Sequence, residues 1–162
     1  MKTYFGIDNG VTGSIGIIKG ETKLMVKTPV KAVQDYTKAK KKITRVVADE
    51  LIQILSQNPS SDRLALIERP MVNPTRFKAT VSAVRCLEAT LIVLESLEIP
   101  YMFVDSKEWQ KELLPAGCSK DQLKKASLDI GCRLFPHMTQ MIEKQKDADG
   151  LLIAEYARRK AW

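Results

Sequence analysis

The chain has 162 residues and is 44% hydrophobic, which suits one domain with a sizeable buried core. Its 26 lysines and arginines outnumber 19 aspartates and glutamates, so the formal net charge is +7. Such an excess favours a polyanionic partner, most often a nucleic acid, while a merely basic soluble protein is the simpler alternative.

Cysteine and histidine usage argues against a disulfide scaffold and against a zinc site. Cys86, Cys118 and Cys132 form no CxxC pair and one of them must stay unpaired, which indicates a reducing compartment. His137 has no cysteine or histidine at ligand spacing. No segment approaches the roughly 20 apolar residues of a membrane span, and no signal peptide is recognised. We therefore expect a soluble cytoplasmic protein.

The first part of the chain predicts three short antiparallel strands. They cover residues 2–9, 15–19 and 22–28, with glycines in the turns between them. The polar residues 31–42 are interpreted either as a solvated loop leading into a helix or as an arm that contacts phosphates. The basic residues of this stretch, and the one just beyond it, are Lys38, Lys40, Lys41, Lys42 and Arg45.

The rest of the chain predicts alternating helices and strands. Residues 64–67 form a continuous apolar run, typical of a strand buried on both sides in a parallel sheet. Another short strand is predicted at residues 101–104, and a break at residues 58–61. The predicted helices cover residues 43–56, 75–97, 106–113, 119–134 and from Asp147 or Ala148 to the C-terminus. This order predicts an α/β fold with a mixed five-stranded sheet, its first three strands antiparallel, and helices on both faces.

Carboxylates follow two of the predicted buried strands. Asp8 ends the first strand, and Glu68 directly follows the apolar run. If these strands are parallel neighbours, both carboxylates emerge at the edge where ligands bind in such sheets. Asp147 and Asp149 lie at the start of the last predicted helix. Each acid also has a structural explanation: turn chemistry for Asp8, a surface ion pair for Glu68 and helix-dipole stabilisation for the other two.

Several acids that converge in a basic protein repel one another and need a positive counter-charge. Carboxylate oxygens suit Mg²⁺, which keeps waters and substrate phosphate oxygens among its ligands, and Mn²⁺ could replace it. Two such ions would hold a phosphodiester, one activating water and the other stabilising the leaving oxygen. The predicted metal ligands, which are also predicted catalytic residues, are Asp8, Glu68, Asp147 and Asp149.

Three segments resemble the acidic motifs of RuvC-type Holliday junction resolvases, most closely the compact members encoded by phages. They are residues 6–10 followed by Gly13 and Ser14, residues 66–70, and residues 148–154. The resemblance implies an RNase H-like fold, one nuclease domain over the whole chain, and a homodimer. It further implies Mg²⁺-dependent nicking of two opposed strands of a four-way DNA junction, with ligatable 5′-phosphate ends. For a phage-encoded member the location would be the bacterial host cytoplasm.

The resemblance assigns the acids residue by residue. Asp8, Glu68 and Asp149 match the first, second and last acids of the family. The remaining family acid, or a histidine in some members, usually lies three residues before the last one. This chain has Lys146 there, so Asp147 is expected to substitute for it, with Glu143 as a more remote candidate.

The resemblance also suggests residues that contact the DNA. Lys120 resembles a family lysine at the start of the helix after the fifth strand, which would stabilise transition-state charge. Met71 lies where the family places an apolar wedge for the junction, with local packing as the alternative. A solvated surface is the alternative for every lysine. The residues expected to contact DNA are Lys38, Lys40, Lys41, Lys42, Arg45, Met71, Arg76, Lys78, Lys107 and Lys111.

Other protein classes remain to be weighed. The opening hairpin also resembles the phosphate loop of the actin, Hsp70 and sugar kinase group, but those ATPases need two such domains and a longer chain. A less selective flap or RNA nuclease of the same fold and a non-catalytic junction-binding protein both stay open. One face of the helix predicted at residues 75–97 would supply the dimer interface.

Overall fold

A mixed five-stranded sheet forms the centre of the fold. The computed structural model describes residues 1–57 and 61–162, so the predicted break at residues 58–61 lies, except for Ser61, outside the described residues. The strands are β1 (Thr3–Ile7), β2 (Ser14–Lys19), β3 (Thr22–Lys27), β4 (Val30–Gln34), β5 (Lys42–Val46), β6 (Arg63–Glu68) and β7 (Tyr101–Val104). The sheet has the order β3-β2-β1-β6-β7. The first three strands are antiparallel, and β6 and β7 run parallel to β1, which confirms the predicted sheet.

Helices cover both faces of the sheet, as predicted. They are α1 (Ala48–Ser56), α2 (Phe77–Ser96), α3 (Ser106–Leu113), α4 (Lys120–Leu134), α5 (Thr139–Gln145) and α6 (Asp149–Arg159). On one face, α1 and α2 pack against Phe5, Ile7 and other alternate residues of the strands. On the other face, α3 to α6 enclose Ile18, Leu66 and the fully buried Trp109. None of the described helices is long and apolar enough to cross a membrane.

Helix α6 lies directly across β1 and β2 because glycines remove the side chains from this contact. Gly6 of β1 pairs with Gly16 of β2. A Cβ atom at either glycine would collide with the α6 backbone around Gly150. Residues 150–157 are all buried, so α6 is enclosed on every side. This close approach fixes the first turn of α6 at the end of β1.

Residues 30–46 differ from the prediction, because they form a separate two-stranded hairpin. Val30 pairs with Val46, and Gln34 pairs with Lys42. The interpretation of residues 31–42 as a loop leading into a helix is therefore wrong, and so is the first part of the helix predicted at residues 43–56. Four of residues 43–47 are β-branched, which favours an extended backbone over a helix.

The turn before α6 also differs from the prediction. Helix α5 was not predicted, and it is followed by Lys146, whose φ of 54° is left-handed. The last helix begins at Asp149 rather than at residue 147 or 148. Asp147 therefore lies in the turn between α5 and α6. The last helix ends at Arg159 rather than at the C-terminus, and the ends of the other predicted elements agree or shift by one or two residues.

Candidate active site

Three aspartates meet at the carboxyl end of β1. One carboxylate oxygen each of Asp8, Asp147 and Asp149 lies within 4.8 Å of the other two. Ser14 joins the elements that carry them. Its Oγ accepts a hydrogen bond from the Gly150 N–H at 3.1 Å, and its carbonyl oxygen accepts one from the Asp8 N–H at 3.0 Å. The end of β1 and the start of α6 are thus connected through the same residue.

Glu68 lies beside this group but is not part of the cluster found among the described residues. Ile7 pairs with Ile67 in parallel register, so Asp8 and Glu68 leave adjacent strands at the same edge. The indole N–H of Trp109 donates a hydrogen bond of 2.6 Å to Oε2 of Glu68. This bond orients the carboxylate through one of its two oxygens.

Asp147 and Asp149 are also oriented through one oxygen each. The Ser127 hydroxyl donates a hydrogen bond to Oδ1 of Asp149. The Asp149 N–H donates to Oδ1 of Asp147 at 2.8 Å, so Asp147 is bonded to the first residue of α6. Hydrogen bonds of this kind hold metal-binding carboxylates in a defined orientation.

Burial and mutual repulsion disfavour ionisation of these acids. Burial is the main cause that raises the pKa of Asp8 to about 8, and the charges of Asp149, Glu68 and Asp147 add to it. Burial also raises the pKa of Glu68 and of Asp149, against the opposing hydrogen bonds from Trp109 and Ser127.

A divalent cation would relieve this repulsion, and carboxylate oxygens are the hard ligands that Mg²⁺ and Mn²⁺ prefer. The donor set of the three clustered aspartates therefore fits the metal expected from the sequence.

Lysines surround the acids. A cavity of about 540 Å³ lies over the aspartates and is lined by Lys27, Lys120, Lys124 and Lys146. Lys124 and Ser127 follow Lys120 at positions i+4 and i+7, so one face of α4 meets the cavity. The positive charge of Lys124 opposes the rise in the pKa of Asp149. The site thus combines a cation-binding cluster with cations that suit a phosphate.

The structure places the other predicted residues outside this cavity. Lys107 and Lys111 lie on α3, and Met71 lies in the loop after β6 with 73% of its surface exposed. That exposure argues against local packing as the explanation of Met71. The remaining predicted DNA contacts lie on the hairpin or where α2 begins, namely Lys38, Lys40, Lys41, Lys42, Arg45, Arg76 and Lys78.

Four residues of the site were not identified from the sequence as part of it: Lys27, Trp109, Lys124 and Ser127. Extending the face of Lys120 along the predicted helix would have found Lys124 and Ser127. Trp109 contacts a residue 41 positions away in the chain, so no local pattern reveals the contact.

Comparison with known proteins establishes the fold. No protein-family model matches the chain, and no curated protein matches its sequence. Among solved structures, T. thermophilus RuvC in complex with Holliday junction substrate is similar, with a TM-score of 0.58 and 12% identity over 99% of this chain and 96% of that chain. A Thermus thermophilus RuvC structure gives a TM-score of 0.55 and 13% identity over 98% of this chain and 96% of that chain. The protein therefore has the RNase H-like fold of RuvC, as the sequence predicted.

Proposed function

We propose that this protein is a metal-dependent endonuclease that resolves four-way DNA junctions. The observation that carries the proposal is the meeting of Asp8, Asp147 and Asp149 beside Glu68. The fold, shared with a protein solved together with a Holliday junction substrate, and the net charge of +7 support it. We further propose one nuclease domain over residues 1–162, of the compact type that phages encode, acting in the bacterial host cytoplasm.

Metal binding falls to the acids. Asp8, Asp147 and Asp149 would hold Mg²⁺, with Glu68 completing a site for up to two ions, and Mn²⁺ could substitute. Bound metal supplies Lewis-acid polarisation of the phosphodiester and activation of water. Trp109 and Ser127 are positioning residues, because their hydrogen bonds orient Glu68 and Asp149.

Charge on the phosphate is stabilised by lysines. Lys120 lines the cavity of the acids, as does Lys124 one turn later on α4. Their ammonium groups would stabilise the negative charge that develops on the phosphate during hydrolysis. Basic residues of the hairpin and of the start of α2 would hold the DNA arms through their phosphates.

A homodimer would present two such sites to two opposed strands. Exposed apolar side chains on α2, among them Phe77 and Val84, support this helix as the contact between copies. A two-fold interface of this kind matches the approximate two-fold symmetry of a four-way junction.

The test uses a fixed four-way junction with Mg²⁺, beside duplex, flap and RNA–DNA hybrid substrates. Wild type should make paired symmetric nicks in the junction, and Asp8→Asn should lose cleavage while keeping binding. Asp105→Asn is the matched control. Asp105 also follows a parallel strand, but its carboxylate pairs with Arg69 at 3.1 Å, so cleavage should persist.

Other outcomes favour the alternatives. Equal cutting of all substrates would indicate a less selective branched-DNA or flap nuclease. Binding without cutting in Mg²⁺ or Mn²⁺ would indicate a non-catalytic junction-binding protein, an alternative that Lys146 in place of the family acid keeps open. Metal-dependent cleavage that survives Asp147→Asn would remove Asp147 from the ligand set.

A further inference from the structure

A second groove, of about 500 Å³, lies between the β4–β5 hairpin and α2. Tyr36 and Arg45 line it from the hairpin, and Arg85 and Ile92 line it from the helix. Tyr36 is 90% exposed, so its ring is not used in packing the protein itself. None of the sequence motifs accounts for this exposed aromatic side chain.

The groove lies next to the cavity of the acids. Val11 lines the groove, and the following residue, Thr12, lines the acid cavity. Cys86 in the groove wall lies near the end of β1, because the backbone of Gly10 and the Asp8 carboxylate both affect the pKa of its thiol. A single turn of the chain therefore separates the two spaces, and an extended ligand could occupy both.

The chemistry of the groove suits a single nucleic acid strand. Residues 30–46 carry six basic residues and one acidic residue. Oδ1 of that acid, Asp35, accepts hydrogen bonds from the N–H and hydroxyl of Thr37 at 3.2 and 2.7 Å. Glu88 also lines the groove. Two arginines and two acids thus line the groove, and the excess of positive charge comes from the hairpin lysines beside it. An aromatic face next to such cations is the combination on which unpaired bases stack while their phosphates are neutralised.

We propose that this groove holds an unpaired segment of the DNA strand that is cut at the acids. Tyr36 stacks on a base of this segment, and Arg45 and Arg85 contact its phosphates. A second copy of the chain is the less suitable occupant, because its own basic hairpin would meet like charges, whereas DNA neutralises them. The inference rests on the proposed nuclease function and adds the path of the strand to it.

The test measures binding of a labelled four-way junction by fluorescence anisotropy in EDTA, where no cutting occurs. Tyr36→Ala should weaken binding roughly tenfold, while Tyr36→Phe should stay within about twofold, because stacking needs only the ring. Arg85→Gln should lower the slope of log K against log salt by about one. Arg133→Gln, on α4 across the sheet, is the charge-matched control and should bind as wild type does.

Photocross-linking locates the strand directly. A 5-iodouracil placed beside the cleaved phosphodiester should cross-link to residues 30–46 or to α2, as mapped by mass spectrometry. Cross-links confined to other segments would overturn the proposal. If the Tyr36 and Arg85 variants melt at the same temperature as wild type, their fold is kept.

The outcomes separate this inference from the proposed function. If wild type cuts junctions while Tyr36→Ala and Arg85→Gln bind them normally, the groove proposal is wrong and the nuclease proposal stands. If the variants bind the junction weakly because they no longer associate, which a smaller sedimenting mass than that of wild type would show, the groove is an interface between copies and the proposal is overturned. Cross-linking in the groove without cleavage supports the groove and contradicts the nuclease. If wild type binds no junction, both proposals fail.

Discussion

Helix α6 and the β4–β5 hairpin both carry charged groups, but one element is buried in the core and the other is exposed. In α6, residues 150–157 are buried, and the helix is fixed on β1 and β2 by close backbone contact. The hairpin is mostly exposed and lies outside the main sheet. Acids carried by buried elements are placed by the packing of the whole core. The basic groups of the hairpin are placed by the pairing of its two short strands.

This difference predicts how the two regions respond to change. Substitutions around α6 should alter stability and metal binding together, because the same contacts determine both. Substitutions on the hairpin should alter DNA affinity and leave the fold intact. Four experiments probe this contrast, and the expected effects on free energy decrease from the first to the last.

Gly6→Ala should cause the largest loss of stability. Its Cβ would collide with the backbone of α6, which must move away from β1. We expect a loss of at least about 3 kcal/mol in the free energy of unfolding, or roughly 10 °C in melting temperature. Gly10→Ala is the control, because a Cβ there meets nothing closer than 3.9 Å. A Gly6→Ala protein that melts like wild type would contradict the close packing of α6.

Asp8→Asn should stabilise the metal-free protein at neutral and alkaline pH. The Asp8 carboxyl has a pKa of about 8 in the folded state against an ordinary value of 3.8, so the folded state binds more protons between these values. Its contribution to stability is full below about pH 4 and is lost as the pH rises through 8. The variant carries no such charge. It should therefore melt roughly 5 °C above wild type at pH 8, and at the same temperature as wild type at pH 4.

Thermal melts from pH 4 to 9, with EDTA or with Mg²⁺, check this prediction. Added Mg²⁺ should raise the melting temperature of wild type by binding the folded state, and should raise that of Asp8→Asn much less. Parallel pH profiles for the two proteins would contradict the raised pKa of Asp8.

Trp109→Phe should weaken metal binding by removing the N–H that orients Glu68. Loss of such a supporting hydrogen bond typically costs 10- to 100-fold in metal affinity. Isothermal titration with Mn²⁺ measures it. Leu113→Ala, which also removes packing from α3 but keeps the indole, is the control. Equal losses of affinity in both variants would show that packing, rather than the hydrogen bond, is responsible.

Neutralising the hairpin should have the smallest effect on the fold. Lys38→Gln and Lys41→Gln should each change the free energy of unfolding by less than about 0.5 kcal/mol. Removing a lysine that contacts a phosphate should reduce the magnitude of the slope of log K against log salt by about 0.9. A marked drop in melting temperature would mean that the hairpin is part of the core after all.

The sequence predicted the sheet well because the strands have patterns that only strands produce. Residues 64–67 are too short and too apolar for an amphipathic helix, and glycine turns separate the first three strands. The hairpin was missed because Ile43, Val46 and Val47 fit the spacing of a helix as well as the residue types of a strand. The state of such a short segment is decided by its partner, which here is β4, the strand with which it pairs.

The candidate site was only partly predictable for a related reason. Asp8 and Glu68 could be placed together from strand order alone, because parallel neighbours end at one edge. The hydrogen bond from Trp109 to Glu68 depends on how α3 packs on the sheet. Asp147 was predicted only as the nearest acid able to replace the family residue, because residues at i and i+2 of a helix do not share a face and periodicity gives no reason to pair it with Asp149.

The left-handed residue Lys146 explains how Asp147 nevertheless reaches Asp149. An acid carried by a turn is free of the three-residue spacing that a helix imposes. It can therefore lie next to the first acid of the following helix from only two residues before it. The chain is only 12% identical to a RuvC structure although the two share a fold, so backbone geometry is retained where the sequence is not. Sequence patterns for acid clusters on this fold should allow the acid to move by one position wherever a left-handed residue precedes it.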